Sequence, residues 1–440
     1  MVKIWKILLV AVLVLAAVKL AYFNINSNNY YWDEAVYLDI AQNIKSQGSY
    51  FSSDGENYRA PLLPLLLAFM PNLDAAHLSV VIISLISMLL AYLLGKEVLN
   101  RYAGLAAAIF IGINPLYYFW SYKLLTEPIA LCLIILSLYM FIKFEKQEDP
   151  KFLYLSSFSA GLAIMARYTS ISLALALAVA LLLKGKPFRK QNLIAAAILL
   201  LTIAPLFWLG IMHYGNPIGM PLWNSIATSS PHMPISSFAL RLFDNFTPYV
   251  FVLFALAIIL PIRKKVPKVI WLYLLITLAM LMSVSQKYER FLIILLPAYA
   301  LIAAVAFADI SKKLEKLQYI FLIFIFMMAA YTVQYNIADL KAESGNTEIL
   351  LNAADYVKDS ECTSIITNST KHFGYFSGKK VVEYPGSIDE LTSIVNSEES
   401  PCIAVDSFHG ITSYRNFIND TYKLVYTNSS DNRFVQVYTP

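Results

Sequence analysis

The chain has 440 residues, 58% of them hydrophobic and only 14% charged, with a net charge of +5 and a mean hydropathy of +0.59. A water-soluble chain of this length has no interior large enough for so much apolar surface, so composition excludes an ordinary soluble enzyme. A bilayer supplies the missing apolar environment, and the small positive balance reports membrane topology rather than nucleic-acid binding.

Apolar runs fall near 7–23, 79–95, 103–120, 128–144, 152–166, 170–183, 192–211, 247–262, 269–284, 291–308 and 319–335. These eleven runs are expected as helices, because backbone in lipid must satisfy its own hydrogen bonds. The pair within 152–183 is split by Arg167-Tyr168-Thr169. Lys3 and Lys6 before the first run allow a cleaved-signal reading. A retained helix is favoured, since the apolar stretch is long and no small-x-small site precedes the Tyr/Trp cluster. Lys19 near the far end of that helix is expected to snorkel to the interface.

Charge orients the helices. With the amino terminus in the cytoplasm, the inner segments hold Lys3, Lys6, Lys96, Arg101, Lys143, Lys146, Lys151, Lys184, Lys186, Arg189, Lys190, Arg263, Lys264, Lys265, Lys268, Lys312, Lys313 and Lys316. That is just over half of the 34 Lys and Arg, packed into short loops, as the positive-inside rule requires. Asn-X-Ser/Thr tripeptides at Asn245, Asn368, Asn419 and Asn428 then all fall outside, which agrees.

Three regions lie outside in this topology: about 24–78, about 212–246, and the tail from 336 to 440. Composition in the tail shifts to Ser, Thr, Asn, Asp and Glu. Helical patterns near 347–358 and 387–396 alternate there with β-type runs at 364–367, 381–384, 402–405, 423–426 and 434–437. The expected architecture is a polytopic α-helical membrane domain over 1–335, with interfacial helices in the 24–78 loop, and a small extracytoplasmic α/β domain over 336–440. Cys362 and Cys402 both open strands of that domain, which leaves a disulfide open; Cys132 sits in a membrane helix as packing.

Four constellations carry chemistry. Asp33-Glu34 opens an amphipathic helix whose Val36, Tyr37, Ile40, Ala41 and Ile44 share one apolar stripe. A helix cap by Asp33, with Glu34 in the first turn and Gly48 as terminator, is the plain alternative to a general base. Tyr58-Arg59-Ala60-Pro61-Leu62-Leu63-Pro64 puts a cation beside Pro-rich backbone and an apolar stretch too short to span, which suits an anionic lipid head group. Lys123 and Thr126-Glu127-Pro128 lie at the outer turn before a membrane helix, where Glu127 is either a cap or a site acid. Lys287 and Arg290 begin another helix against the positive-inside trend, so they need an anionic partner; a phosphate or a salt bridge to Glu289 or Glu127 would serve. Arg167 is a further outward cation.

With these residues in order, the chain resembles the GT-C membrane glycosyltransferases, in particular the branch of protein O-mannosyltransferases and aminoarabinose (undecaprenyl-phosphate-dependent) transferases. Asp33-Glu34 with Ala35, Tyr37, Ile40 and Ala41 is similar to the family's Asp-Glu motif on the first interfacial helix. Arg59-Ala60-Pro61-Leu62 resembles its Lys-Pro-Pro-Leu type turn, with Arg for Lys. Arg290-Phe291 before Leu296-Pro297-Ala298 resembles its Arg-Tyr…Leu-Pro-Ala segment. Glu127 stands where many members place an aspartate. The likeness covers roughly 7–335, and the tail has no inserted β-trefoil.

What the resemblance implies is an inverting transfer from a polyprenyl-phosphate sugar to an acceptor hydroxyl on protein, lipid or glycan, at the outer face of the plasma membrane. Asp33 would take the acceptor proton, with Glu34 as helper, and Glu127 would position hydroxyls. Arg59, Lys287 and Arg290 would bind the donor phosphate, and Tyr58, Lys123 and Arg167 would line the substrate site. No cofactor is required. A divalent cation is left open through Asp33, Glu34, Glu127 and an outer His, although metal-ligand spacing is absent. Two alternatives remain: oligosaccharyltransferase-like transfer of a preassembled glycan, disfavoured by a tail without Trp, and a lipid-linked-sugar flippase, disfavoured by acids and cations gathered at one face.

Overall fold

The structure is a computed structural model, and it describes residues 4–21, 23, 32–52, 58–185, 189–227, 248–259, 261–284, 288–313, 327, 330, 334, 347–408, 415–430 and 433–440. In chain order these form helices α1 (Ile4–Ala21), α2 (Trp32–Gln47), α3 (Leu62–Ala68), α4 (Leu73–Val98), α5 (Arg101–Gly112), α6 (Pro115–Trp120), α7 (Thr126–Gln147), α8 (Pro150–Ala166), α9 (Ile171–Leu183), α10 (Lys190–Tyr214), α11 (Gly219–Ala227), α12 (Pro248–Ile259), α13 (Lys268–Ser283) and α14 (Leu296–Lys313). The tail follows as α15 (347–359), β1 (Ser364–Thr367), α16 (Thr370–Ser377), β2 (Lys380–Glu383), α17 (Ile388–Ser397), β3 (Pro401–Asp406), α18 (Arg415–Thr421), β4 (Lys423–Ser430) and β5 (Arg433–Thr439). Two compact units result. One is Met1–Phe23, Tyr58–Leu66 and Met70–Ile337; the other is Asn24–Asn57, Leu67–Phe69 and Ala338–Pro440.

In the first unit, four stretches among the described residues are long and apolar enough to cross a membrane: Leu73–Val98, Thr126–Gln147, Lys190–Tyr214 and Glu289–Ile310. The apolar run at 319–335 lies outside the described residues but for three positions. The described residues of the other runs lie mainly in helix, although 103–120 breaks where the Asn114 side chain accepts from Tyr117 N at 3.0 Å and Pro115 starts α6. Large apolar side chains stand exposed on the outside of this unit, among them Leu13, Leu183, Trp208 and Leu201, the last 73% exposed. Lipid is the environment such surfaces call for.

Small residues and hydroxyls join the helices. A Cβ on Gly95 would lie 2.7 Å from Ala103 O, and one on Gly104 would lie 2.5 Å from Tyr92 O, so α4 and α5 touch backbone to backbone. Ser137 Oγ donates to Ser156 O and Ser156 Oγ to Ser137 O, both at 2.9 Å, binding α7 to α8. The stretch expected to begin a helix at Arg290 winds instead as a 3₁₀ turn over Glu289–Leu295 before α14. Pro297 has no N–H to give a carbonyl one turn earlier, and the buried Tyr273 hydroxyl donates to Ile294 O in its place.

Lys19 corrects an expectation. Its ammonium does not snorkel but is buried, 2% exposed, donating to Ser121 Oγ and lying 4.7 and 4.5 Å from the ring centres of Tyr118 and Tyr122. Two aromatic faces and a hydroxyl within the protein replace the solvent that snorkelling would have reached.

The second unit centres on a five-stranded sheet of order β2-β1-β3-β5-β4. β1 pairs parallel with β2 and β3, while β5 runs antiparallel to both β3 and β4. Side chains alternate faces as the period of two demands. Ile365 joins Leu350, Ala354, Val357 and Phe373 on one face, and Ile366 joins Leu391, Val395 and Ile418 on the other. Helices α16 and α18 are additions to the sequence reading; the five strands and the other two helices fall where it expects them. Cys362 and Cys402 form a disulfide with Cα atoms 5.7 Å apart, closing a separation of 40 residues.

By the chain-entropy account a loop of that length is worth about 4 kcal/mol. Replacing both cysteines by serine should therefore expose the tail to protease at doses that leave the wild-type tail intact; equal resistance would contradict this. Gly104→Leu should cost the membrane unit its assembly, read as loss of the monodisperse peak in size-exclusion chromatography, whereas an unchanged profile would refute the close crossing.

Candidate active site

The residues singled out in the first unit gather around one carboxylate. Glu127 lies in the first turn of α7, and every residue from Ser121 to Ala130 is buried. Glu127 itself is 1% exposed. Its Oε1 accepts from Arg167 Nη1 at 2.7 Å and lies 3.7 Å from Arg290 Nε. Arg167 also donates to Thr126 Oγ1 at 3.1 Å. An ionised carboxylate removed from water requires such partners, and here it takes two guanidinium groups.

Backbone breaks put those guanidiniums in place. Arg167 is extended between α8 and the 3₁₀ turn Tyr168–Ser170, so its side chain leaves a helix terminus rather than a helix wall. Arg290 stands in the 3₁₀ turn that precedes Pro297. Aromatic rings back both. Phe291 lies 4.8 Å from the Arg167 guanidinium carbon, and Trp120 and Tyr288 lie 5.7 and 5.8 Å from that of Arg290. Ring faces hold a guanidinium plane while leaving its edge N–H groups for an oxygen ligand.

Tyr168 extends the cluster toward the Pro-rich turn, its hydroxyl donating to Tyr58 O at 2.8 Å. Arg59 is half-buried beside Tyr58, 5.4 Å from that ring centre, and the short α3 follows it as expected. Lys123 is buried, 5.9 Å from the Phe119 ring centre, in the turn leading to Glu127. His77 Nδ1 meets Tyr122 O at 2.9 Å and, with Lys19 on Ser121, pins that turn. Lys287 lies outside the described residues. Among the described residues the charge count at this end of the unit, Lys19, Arg59, Lys123, Arg167 and Arg290 against Asp74, Glu127 and Glu289, is positive and suits an anion.

At the other end of the same helices the pairs are more exposed, Asp309 alone among their acids being buried. Lys146 pairs with Glu97 at 3.3 Å, Lys184 with Glu145 at 3.1 Å, and Lys265 with Asp309. Basic residues are therefore plentiful at both ends; the Glu127 end is set apart by two half-buried guanidiniums on a buried carboxylate, with aromatic rings beside them.

Asp33 and Glu34 belong to the second unit. The helix begins at Trp32, so both acids sit in its first turn, where the helix dipole favours them, and Gly48 ends it at φ +66°. Glu34 is fully buried and Asp33 half-buried. α2 packs against α16 of the tail: the Trp32 and His372 rings meet edge to face at 6.3 Å, and Lys371 Nζ lies 6.0 Å from the Trp32 ring centre. Burial pulls the Lys371 ammonium down to about 8, while Asp39, Glu383 and Asp33 pull it back up. Burial and then Asp39 push the Tyr375 hydroxyl up. Sequence reading missed Lys371 and His372, because α16 is too short for a periodic signal; it named Thr126 in its motif without a role. Among the described residues, no group of three or more His, Cys, Asp or Glu is placed to hold a metal ion.

Residues 59–208 match the sequence profile of the dolichyl-phosphate-mannose-protein mannosyltransferase family. That span contains Arg59, Lys123, Glu127 and Arg167, and it excludes Asp33 and Arg290. No curated protein matches the chain by sequence. Among solved structures, ArnT from Cupriavidus metallidurans bound to undecaprenyl phosphate is similar at TM-score 0.71 and 12% identity, covering 98% of this chain and 97% of that one. The oligosaccharyltransferase AglB from Archaeoglobus fulgidus, in complex with an inhibitory peptide and a dolichol-phosphate, is similar at TM-score 0.59 and 11% identity, covering 98% and 74%. A third likeness is the Archaeoglobus fulgidus oligosaccharyltransferase complex with Zn and sulfate, at TM-score 0.55 and 13% identity over 85% and 62%. The chain is thus an integral membrane protein with the fold of the GT-C superfamily of glycosyltransferases, and its residues 59–208 carry the sequence pattern of the dolichyl-phosphate-mannose-protein mannosyltransferases.

Proposed function

We propose that this protein is an inverting glycosyltransferase that moves a sugar, hexose or pentose, from a dolichyl or undecaprenyl phosphate to an acceptor hydroxyl on protein, lipid or glycan. The observation that carries the reading is the pair of guanidiniums, Arg167 and Arg290, held on the buried Glu127; Glu127 and Arg167 lie inside the matched stretch 59–208, and Arg290 joins them from beyond it. A donor phosphodiester has one negative charge, and the polyprenyl phosphate that leaves acquires close to a second. Cations fixed before the reaction stabilise that developing charge more than they stabilise the donor, which is what accelerates transfer.

In this reading Asp33 accepts the proton of the acceptor hydroxyl as its oxygen forms a bond to the anomeric carbon. The bond from that carbon to the phosphate oxygen breaks on the opposite face, and the phosphate keeps the electron pair. Arg290, with Arg59 and Lys287, holds the departing phosphate. Arg167 fixes Glu127, which orients substrate hydroxyls, while Tyr58 and Lys123 line the substrate site and Glu34 assists Asp33. No cofactor enters the scheme. Eleven membrane spans, with the amino terminus in the cytoplasm and both the site and the tail outside, complete the reading, supported by the Lys and Arg loops.

Three outcomes test it. Purified protein should release polyprenyl phosphate from at least one of a panel of dolichyl- and undecaprenyl-phosphate sugars, mannose among them. Asp33→Asn should abolish transfer with the protein still folded; release from none of the panel, or full activity of the variant, overturns the reading. Arg290→Ala should cost about 3 kcal/mol of transition-state stabilisation, on the order of a hundredfold in rate, while leaving acceptor KM alone. Equal donor turnover by wild type and variant removes Arg290 from the phosphate. A cysteine at exposed Ser397 should react with an impermeant reagent from outside intact cells, and labelling only after lysis inverts the topology.

A further inference from the structure

The tail offers a second working surface. In its sheet, β1 connects to β2 on one side and lies against β3 on the other, so the carboxyl ends of β1 and β3 flank a topological switch point. Open α/β sheets bind and act at that place. Here it is built from buried polar side chains. Ser369 Oγ donates to Asp406 Oδ2 at 2.8 Å, Ser369 N donates to Thr367 Oγ1 at 3.1 Å, and Asp406 Oδ1 accepts from Phe408 N at 2.8 Å. α16 starts there, and its Lys371 and His372 are 8% and 4% exposed. What they meet is the first turn of α2, through the Trp32 contacts with both residues.

A lysine is seldom buried without an electrostatic reason. The carboxylates that bear on the Lys371 charge are Asp39 first, then Glu383 and Asp33, two from α2 and one from β2; His372 lies beside Lys371 on its own helix, and Glu34 beside Asp33. Asp39 also bears on the Tyr375 hydroxyl, one turn along α16. An opposite charge near a carboxylate favours its ionised form, and a general base must be ionised to accept a proton.

We propose that Lys371 is a positioning residue for the transfer reaction: from the tail, clamped with His372 on Trp32, it fixes the first turn of α2 and keeps Asp33 ionised. The tail domain is then part of the chemistry. This inference rests on Asp33 being the general base.

The test is the pH profile of polyprenyl phosphate release by the full chain, using the donor from the panel above that wild type turns over. Removing the positive charge with Lys371→Met should raise the acid limb by about one pH unit, so activity well below that limb falls about tenfold and recovers at higher pH. Lys371→Arg should restore the wild-type limb, which a purely structural loss would not do. Glu383→Gln, at an exposed position, removes an opposing charge and should move the limb toward lower pH; it serves where Lys371→Met does not fold. An unmoved limb in folded Lys371→Met, or limbs of Lys371→Arg and Glu383→Gln that both coincide with Lys371→Met, overturns the proposal. Retained activity in Asp33→Asn instead defeats the base assignment itself. An inactive Asp33→Asn with an unmoved Lys371→Met limb leaves the base standing and removes only Lys371.

Discussion

A carboxylate enclosed by apolar helices must find cations, and Glu127 finds two. That requirement ties together three places where the membrane unit abandons regular helix: the buried turn before α7, the extended Arg167 after α8, and the 3₁₀ turn ahead of α14. Breaking such a buried pair by removing one partner typically costs about 3–5 kcal/mol, because the remaining charge stays buried. The cluster is thus costly to assemble and costly to break. Under the proposed function it is a device that keeps guanidiniums in a low-dielectric setting for an anion that arrives from the bilayer.

The surrounding packing serves that cluster. Lys19 and His77 reach from α1 and α4 to the turn before Glu127, one through Ser121 and two tyrosine rings, the other through the Tyr122 carbonyl. Gly95 and Gly104 let α4 and α5 approach at backbone distance. Tyr273 replaces the hydrogen bond that Pro297 cannot make, so the Ile294 carbonyl keeps a partner in an apolar interior. Rigid support of this kind is what preorganised charge needs, since a mobile cation would relax toward any anion and lose its preference for the transition state.

Much of this was legible in the sequence, for identifiable reasons. The five tail strands stand out because β-branched runs alternate with Ser, Asn and Gly breaks, and Ile365 and Ile366 do point to opposite cores. The interruption at Arg167-Tyr168-Thr169 shows as polarity inside an apolar stretch. Arg290 was marked by defying the charge rule, and a salt bridge to Glu127 was one of its expected partners. What the sequence hides is distance along the chain. Nothing near Lys19 announces Tyr118 and Tyr122, so a general rule about charged helix ends misplaces it. Nor does anything near Thr370–Ser377 foretell that its Lys and His settle on Trp32. Local pattern names the chemistry-bearing residues; which of them meet is decided by packing over long separations.

The observation that bears most on this picture is a map of the whole chain with undecaprenyl phosphate or dolichyl phosphate bound. The phosphate should lie within hydrogen-bonding reach of the Arg290 guanidinium while Arg167 remains on Glu127. A phosphate held at a place lined by neither arginine would contradict the account.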